Sequence, residues 1–402
     1  MSTASPRRPR LLVLASTYPR WPDDPEPAFV HELAKRLVDA FEVTVLCPHA
    51  RGAAARECMD GVQVIRYRYA PERLEVLVND GGIVNNLRRR PWTALLVPAF
   101  VLCQAVALAA LVRRWRPEVI HAHWLVPQGF LAAALRGWGG TSIPYLVTSH
   151  GADLFALRGR ATRWMKRFAA RRAACVAVVS EGMREEAVRA GVAPTALRVM
   201  PMGVDLEHRY VPDPTVARRK DELLFVGRLV EKKGLDVLVS AMPEVLARRP
   251  DASLRVFGFG PEEARCRSLV AALRLSDVVT FEGPATQDLL PAAYRRAALF
   301  VAPFMRASSG DQDGLGLVLI EALGCGCPVV VSELPATRGL ASTASGIATV
   351  PPGCPDRLAR KLVELLESPP PCVGGVDAYD WRRRAADHAR VLKSILPAGH
   401  GE

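Results

Sequence analysis

Leu223–Gly234 reads LLFVGRLVEKKG and passes without a break into the helical pattern Leu235–Ala247. Leu223–Val226 is a short apolar run of the kind that forms a buried strand. Gly227 ends it, Arg228 and Lys233 follow in a short loop, and a helix begins near Leu235. Such strand–loop–helix units recur along the chain. Further strands are expected at Leu11–Ala15, Val43–Leu46, Val62–Arg66, Val119–His121, Tyr145–Thr148, Val176–Val179 and Arg198–Met200, and later at Leu254–Phe257, Val278–Phe281, Leu299–Ala302 and Val329–Val331. Helical patterns at Ala28–Asp39, Pro261–Ala272 and Leu315–Leu323 alternate with them. Alternation on this scale means an α/β chain with parallel sheets covered on both faces.

The pattern occurs twice. His208–Lys220, polar and broken by Pro212 and Pro214, separates the two runs. The expected organisation is a domain over 1–207, a linker at 208–220 and a second domain over 221–378. A last helical pattern, Tyr379–Leu396, follows the Pro- and Gly-rich Ser368–Gly375. In doubly wound sheets a ligand sits beyond the carboxyl ends of the strands. Two such domains facing a central cleft would place the chemistry on residues just after strands.

Composition supports two globular cores. Of 402 residues, 50% are hydrophobic and 23% charged, which excludes a disordered tail, a collagen-like repeat and a disulfide-stapled miniprotein. The net charge of +12 is lopsided: residues 1–205 carry 28 Lys/Arg against 17 Asp/Glu, and residues 206–402 carry 25 against 24. The two halves therefore face different partners. Nine cysteines, an odd and scattered set, read as small buried hydrophobes in a reducing compartment. The apolar run Leu11–Ala15 is too short for a signal-peptide core, so a cytoplasmic protein is expected.

Four motifs carry candidate chemistry. In the first, Arg228 and Lys233 lie on one strand–helix loop beside Gly227, an arrangement that suits a diphosphate. The second, Val256–Pro261 (VFGFGP), passes through Gly258 and Gly260 into a helix, whose amide groups suit a nucleotide. The third, Ser309–Val331 (SGDQDGLGLVLIEALGCGCPVVV), spaces Asp313 and Glu321 eight apart around Gly314, Leu315 and Gly316. A helix starting at Gly314–Leu315 would put both acids on one side, and an acid among Leu317–Leu323 needs a partner such as a ligand hydroxyl or a structural cation. The fourth, Thr148–Asp153 (TSHGAD), puts the imidazole of His150 at a strand end. His121 and His123, two apart on a strand, share a face, but no third metal ligand accompanies them and no metal is expected.

With these residues in place the chain resembles the retaining glycosyltransferases of family 4, which have the GT-B fold of two Rossmann-like doubly wound domains. The resemblance runs from ASTYPRWPDD (Ala15–Asp24) through VIHAHW (Val119–Trp124), SHGADL (Ser149–Leu154), MPMGVD (Met200–Asp205), VGRLVEKKG, GFGP and the acid pair to a helix bearing Trp381. It implies a hexosyltransferase (EC 2.4 class) needing no cofactor beyond its donor, a UDP- or GDP-sugar held mainly by the second domain. Arg228 and Lys233 would take the diphosphate, Gly316, Leu317 and Val318 would offer amides to phosphate, and Glu321 would grip the ribose. His150 would reach the donor sugar, Asp313 would contact the hexose, and the 379–396 helix would return to the first domain. The acceptor would be a glycan or a lipid-linked sugar of cell-surface polysaccharide or glycolipid synthesis. Two departures stand out: the first acid is Asp313 where the family has Glu, and Pro25-Glu26-Pro27-Ala28 stands where many members carry a double glycine.

The basic half suggests a surface partner. Thr93–Val112 is 20 residues without a charge, flanked by Arg88–Arg90 and Arg113–Arg114. Pro98, Gln104 and basic clusters at both ends favour a helix on a sheet or at a membrane surface over a transmembrane span. Arg158–Arg172 holds seven cations and no acid, with Trp164, Met165 and Phe168 among them. Residues 88–114 and 158–172 are thus the candidate contacts with the anionic inner face of the cytoplasmic membrane; the alternative is an ordinary solvated face. Two competing functions remain: a sugar-nucleotide epimerase or phosphorylase of the same architecture, and a non-enzymatic basic binding protein. No recognised nucleic-acid-binding motif with aromatics interleaved for stacking is seen, so nucleic acid is not expected as a partner.

Overall fold

The computed structural model describes residues 7–22, 24, 26–79, 82–136, 143–371 and 374–397. Asp23 and Pro25 of the first loop and Cys372 lie outside the described residues. The chain divides into two compact units, one of residues 1–179, 184–200 and 384–402, the other of 180–183 and 201–383.

The first unit holds strands β1 (Arg10–Leu14), β2 (Glu42–Pro48), β3 (Arg56–Met59), β4 (Val62–Tyr67), β5 (Val119–His123), β6 (Tyr145–Ser149), β7 (Cys175–Val178) and β8 (Leu197–Val199). They form one sheet in the order β3-β4-β2-β1-β5-β6-β7-β8. Leu11–Leu14, Val119, Ile120 and Tyr145–Val147 are almost wholly buried, as strands covered on both faces must be. Every pairing is parallel except β3 with β4. The antiparallel β3 is absent from the sequence reading, because RECM has no apolar run to announce it.

Helices α1 (Phe29–Arg36), α2 (Ile83–Arg89), α3 (Leu96–Trp115), α4 (Phe130–Leu135), α5 (Ala152–Phe155), α6 (Arg160–Arg172) and α7 (Glu181–Arg189) connect these strands. Parallel crossovers are right-handed. The connection from β1 to β2 moves one way across the sheet and places α1 on one face. Those from β4 to β5, β5 to β6 and β6 to β7 move the other way, so α3, α4 and α6 share the opposite face.

The second unit repeats the plan with β9 (Glu222–Val226), β10 (Ser253–Phe257), β11 (Val279–Gly283), β12 (Leu299–Ala302), β13 (Val329–Ser332) and β14 (Ile347–Val350). Their order, β11-β10-β9-β12-β13-β14, is that of a dinucleotide-binding Rossmann sheet, all parallel, with its switch point between β9 and β12. Helices α8 (Leu235–Arg248), α9 (Glu263–Ala272), α10 (Leu290–Arg296), α11 (Leu317–Gly324), α12 (Pro335–Thr343) and α13 (Pro355–Glu367) complete it. Leu223, Phe225, Leu254, Val256, Leu299 and Val301 pack with Leu238, Met242, Val245, Leu358 and Leu362 into one core. The final helix, α14 (Trp381–Ser394), has its first three residues in this unit and the rest in the first.

Candidate active site

The loop after β9 carries Arg228, Lys232 and Lys233, and the loop after β12 carries Asp311 and Asp313. Both leave the sheet at its switch point. Lys233 Nζ donates to Asp313 Oδ2 at 2.5 Å and lies 4.3 Å from the centre of the Phe304 ring. Lys232 Nζ lies 3.1 Å from Asp311 Oδ2 and 3.4 Å from Asp313 Oδ1. All four side chains are buried or nearly so. Burial works against ionised Asp313, but Lys233, Lys232 and Arg228 overrule it and hold the carboxyl at about 2. Burial also draws Lys233 below the ordinary lysine range, against the pull of Asp313. The cluster is a set of positive charges balanced by two aspartates.

Glu321 sits on α11 behind this cluster. Tyr294 Oη donates to its Oε2 at 3.0 Å. Burial raises its carboxyl to about 7, although the Tyr294 bond and the Lys233 charge both favour the ionised form. The structure thus draws Arg228, Lys233, Asp313 and Glu321 into one electrostatic neighbourhood. One detail of the sequence reading is corrected. Helix α11 starts at Leu317, not at Gly314–Leu315, so Asp313 reaches the site from a loop and shares no helical face with Glu321. Gly316 has φ +77°, and a Cβ there would lie 2.9 Å from Phe304, so the chain turns at this residue before the helix can begin. The first-turn amides of α11, at Leu317 and Val318, have no partner within the helix.

Gly258 and Gly260 acquire a packing role. A Cβ on Gly258 would lie 1.9 Å from the Gly227 carbonyl oxygen, and one on Gly260 would lie 2.4 Å from that of Leu229. The loops after β9 and β10 are sewn together by Gly227 N–H donating to Phe257 O (3.0 Å) and Leu229 N–H donating to Phe259 O (2.8 Å). The Gly258 N–H itself donates to Gly283 O at 2.7 Å. Lys232, Asp311 and Tyr294 are the residues that sequence reasoning missed. The adjacent lysines of EKKG and the D-x-D of GDQDG, both at strand ends, were the available signal for the first two; Tyr294 gave none.

His150 belongs to the first unit. Its Nε2 pairs with His123 Nδ1 at 2.8 Å, and the two rings stack 5.1 Å apart. His121 lies 4.1 Å from His123 between ring centres and 5.8 Å from His388 of α14, while its Nε2 meets Thr148 Oγ1 at 2.9 Å. Burial pushes all four imidazoles down, His150 to about 3 and His388 to about 4, so the cluster is neutral at pH 7. Asp153 of the same motif is an organiser: it accepts from Leu125 N–H (2.6 Å) and Ser149 Oγ (2.8 Å), tying the β5 and β6 loops together. Among the described residues no three His, Cys, Asp or Glu side chains are grouped to hold a metal ion.

Two Rossmann-like domains with these strand orders, one with a basic, acid-balanced switch point, have the architecture of the GT-B glycosyltransferases. The comparisons agree on the class. A model described as Glycosyltransferase Family 4 matches residues 28–208, and one described as Glycosyl transferases group 1 matches 220–368. The D-inositol 3-phosphate glycosyltransferase of Frankia alni is 32% identical over 314 residues, covering 69% of this chain and 74% of that protein. The GDP-mannose-dependent alpha-(1-6)-phosphatidylinositol monomannoside mannosyltransferase of Mycolicibacterium smegmatis is 27% identical over 389 residues, 91% of this chain and 92% of that one. Among solved structures, sucrose-phosphate synthase from Thermosynechococcus elongatus superposes with a TM-score of 0.77 at 22% identity, covering 96% of this chain and 99% of that one. Anabaena HepE in complex with UDP and glucose gives 0.71 at 16%, covering 96% and 100%. The chain belongs to glycosyltransferase family 4 and is a transferase enzyme.

Proposed function

We propose that this enzyme moves a hexose, with retention, from a UDP- or GDP-sugar to a lipid-linked or glycan acceptor of cell-surface polysaccharide or glycolipid synthesis. The observation that carries the reading is the switch-point cluster of Arg228, Lys232 and Lys233. As the glycosidic bond breaks, the sugar takes on oxocarbenium character and the departing diphosphate gains negative charge. Arg228, Lys233 and the amides of Gly316, Leu317 and Val318 stabilise that charge, and do so best while it is developing. Lys233 is paired with Asp313 before the donor arrives. The arriving phosphate displaces that carboxylate, and Lys232 stays within reach of it. Glu321 accepts from the ribose hydroxyls, Asp313 bonds the hexose, and the neutral His150 acts as a hydrogen-bonding group toward the sugar. Gly258 and Gly260 hold their loop close enough for the nucleotide to lie against backbone. The acceptor attacks on the face the diphosphate leaves, and a phosphate oxygen takes its proton. Arg228→Ala and Lys233→Ala should each lower donor turnover by roughly 10²-fold or more. Unchanged rates in both would contradict the assignment. GDP-mannose is the first donor to try, because relatives of this chain are named for its use.

The acceptor side of the proposal rests on α3. Phe100, Gln104, Leu108 and Val112 are buried on the sheet, while Leu95, Leu102 and Val106 on the outer face are 81%, 64% and 61% exposed. Trp92 extends that ridge and exposed Arg88–Arg90, Arg113 and Arg114 flank it. The basic helix α6, with Trp164 58% exposed, lies on the same side of the sheet. Apolar ridge and arginines together fit an anionic lipid surface, at which a lipid-linked acceptor is taken up by a peripheral enzyme on the cytoplasmic side. Sedimentation with phosphatidylglycerol vesicles at physiological salt tests this, and an enzyme left wholly in the supernatant would refute it.

A further inference from the structure

Three rings converge at the carboxyl edge of the first unit's sheet: Phe29 at the start of α1, Trp124 just after β5 and His150 just after β6. Phe29 lies 6.2 Å from Trp124 at an interplanar angle of 65° and 4.8 Å from His150, and Trp124 lies 5.1 Å from His150. The strand residues leading to Trp124 and His150 are fully buried, whereas Phe29, Trp124 and His150 themselves are only partly buried as residues. Trp124 also has φ +76° and ψ 136°, a backbone state that is strained for a non-glycine residue. Two hydrogen bonds pin it there, Trp124 N–H to Thr148 O at 2.7 Å and Gly129 N–H to Trp124 O at 3.0 Å. An indole needing only burial would be served by ordinary extended backbone. Here the chain is turned so that the indole stands beside the imidazole. With Nε2 of His150 engaged by His123, its Nδ1 makes no hydrogen bond to a described residue.

We propose that Phe29, Trp124 and His150 form a stacking platform for a polyhydroxylated six-membered ring, a pyranose or a cyclitol. Such a ring carries weakly positive C–H groups on one face, which suit the negative face of an aromatic quadrupole, and hydroxyls around its rim. Trp124 and Phe29 cover the C–H face while His150 Nδ1 bonds one rim hydroxyl. The platform is chemically unlike the cationic cluster of the second unit, which suits phosphate. The inference deepens the proposed transfer reaction and rests on it for the chemistry after binding; the ring belongs either to the donor's hexose or to the acceptor.

Saturation-transfer NMR on the full chain tests it, with methyl α-D-mannopyranoside, myo-inositol and open-chain mannitol as probes. The cyclic probes should receive saturation on the protons of one ring face, and mannitol little. Trp124→Ala should weaken cyclic-probe binding by about tenfold or more, Phe29→Ala by less, and Trp124→Phe least, because a smaller ring still stacks. An unchanged unfolding midpoint and unchanged GDP binding show that each variant is folded. Should Trp124→Ala fail to fold, Trp124→Phe and Phe29→Ala still carry the test. Competition of the probe by GDP-mannose but not by GDP would support the platform and assign the ring to the donor; no competition by either would support it and assign the ring to the acceptor. Equal saturation in wild type and all three variants, or mannitol binding as well as the rings, overturns the proposal. Arg228→Ala separates the two claims: it should abolish GDP binding and leave the cyclic probes unaffected.

Discussion

If Glu321 grips the donor's ribose as proposed, donor binding should depend on pH in a direction set by the burial of this carboxyl. Burial raises its carboxyl from 4.5 to about 7. Ribose hydroxyls donate to a carboxylate, so the ionised form is the one that binds. With a pKa near 7 the ionised fraction climbs from about one-tenth at pH 6 to about nine-tenths at pH 8, and affinity for the donor should rise about tenfold over that span. The ligand must be an intact nucleotide sugar, since a free terminal phosphate titrates near pH ~6 and would add its own slope. Isothermal titration of wild type and Glu321→Gln across pH 6–8 reads the effect: a slope in the first, none in the second, with the variant weaker at pH 8. Stability moves the other way. Because folding raises this pKa, the group's stabilising contribution is complete below its unfolded value of 4.5 and is lost as pH climbs through about 7, on the order of 3 kcal/mol in all. Glu321→Gln should therefore unfold at a higher temperature than wild type at pH 8 and not at pH 5. A flat affinity profile in wild type, or the same slope in the variant, would refute the ribose assignment.

Lys232→Met should reduce turnover less than Lys233→Ala, by about tenfold, yet destabilise the protein by roughly 3 kcal/mol, because Asp311 loses a buried partner; chemical denaturation beside steady-state rates separates the two effects. Gly258→Ala should lower stability by roughly 2 kcal/mol or more, since its methyl would meet the Gly227 carbonyl at a φ of +146°; an unchanged melting temperature would show that the loops do not nest as described. The pair Leu102→Glu and Val106→Glu should abolish vesicle sedimentation while shifting stability by only about 0.5 kcal/mol, as exposed positions do. Retained binding would remove α3 from the acceptor side.

Much of this architecture was legible because buried parallel strands announce themselves. Leu223–Val226, Leu254–Phe257 and Leu299–Ala302 are uninterrupted apolar runs, and each is a strand in the six-stranded sheet. The strands that escaped notice, Arg56–Met59 and Ile347–Val350, sit at sheet edges, where one neighbour suffices and the apolar signal fades. The cationic loop was legible for a related reason, since charges directly after a buried run have few roles but a ligand. Helix starts were less so. Nothing in DGLGL says which glycine takes the left-handed turn; Phe304, at the far end of the same β12–α11 loop, settles it by filling the space beside Gly316. The partners of charges were illegible altogether. Tyr294 reaches Glu321 from 27 positions away, and the buried imidazole cluster draws His388 from the last helix.

The split membership of α14 bears on how this enzyme can be dissected. Trp381 packs on Gly203 and so belongs with the second unit, while His388, two turns further on, closes over His121 in the first. A fragment ending near residue 200 would lack the tail that shields its own strands. Isolating the amino-terminal half as a soluble piece therefore calls for supplying residues 384–397 in trans or grafting them through a short connector, and a plain truncation should come out insoluble.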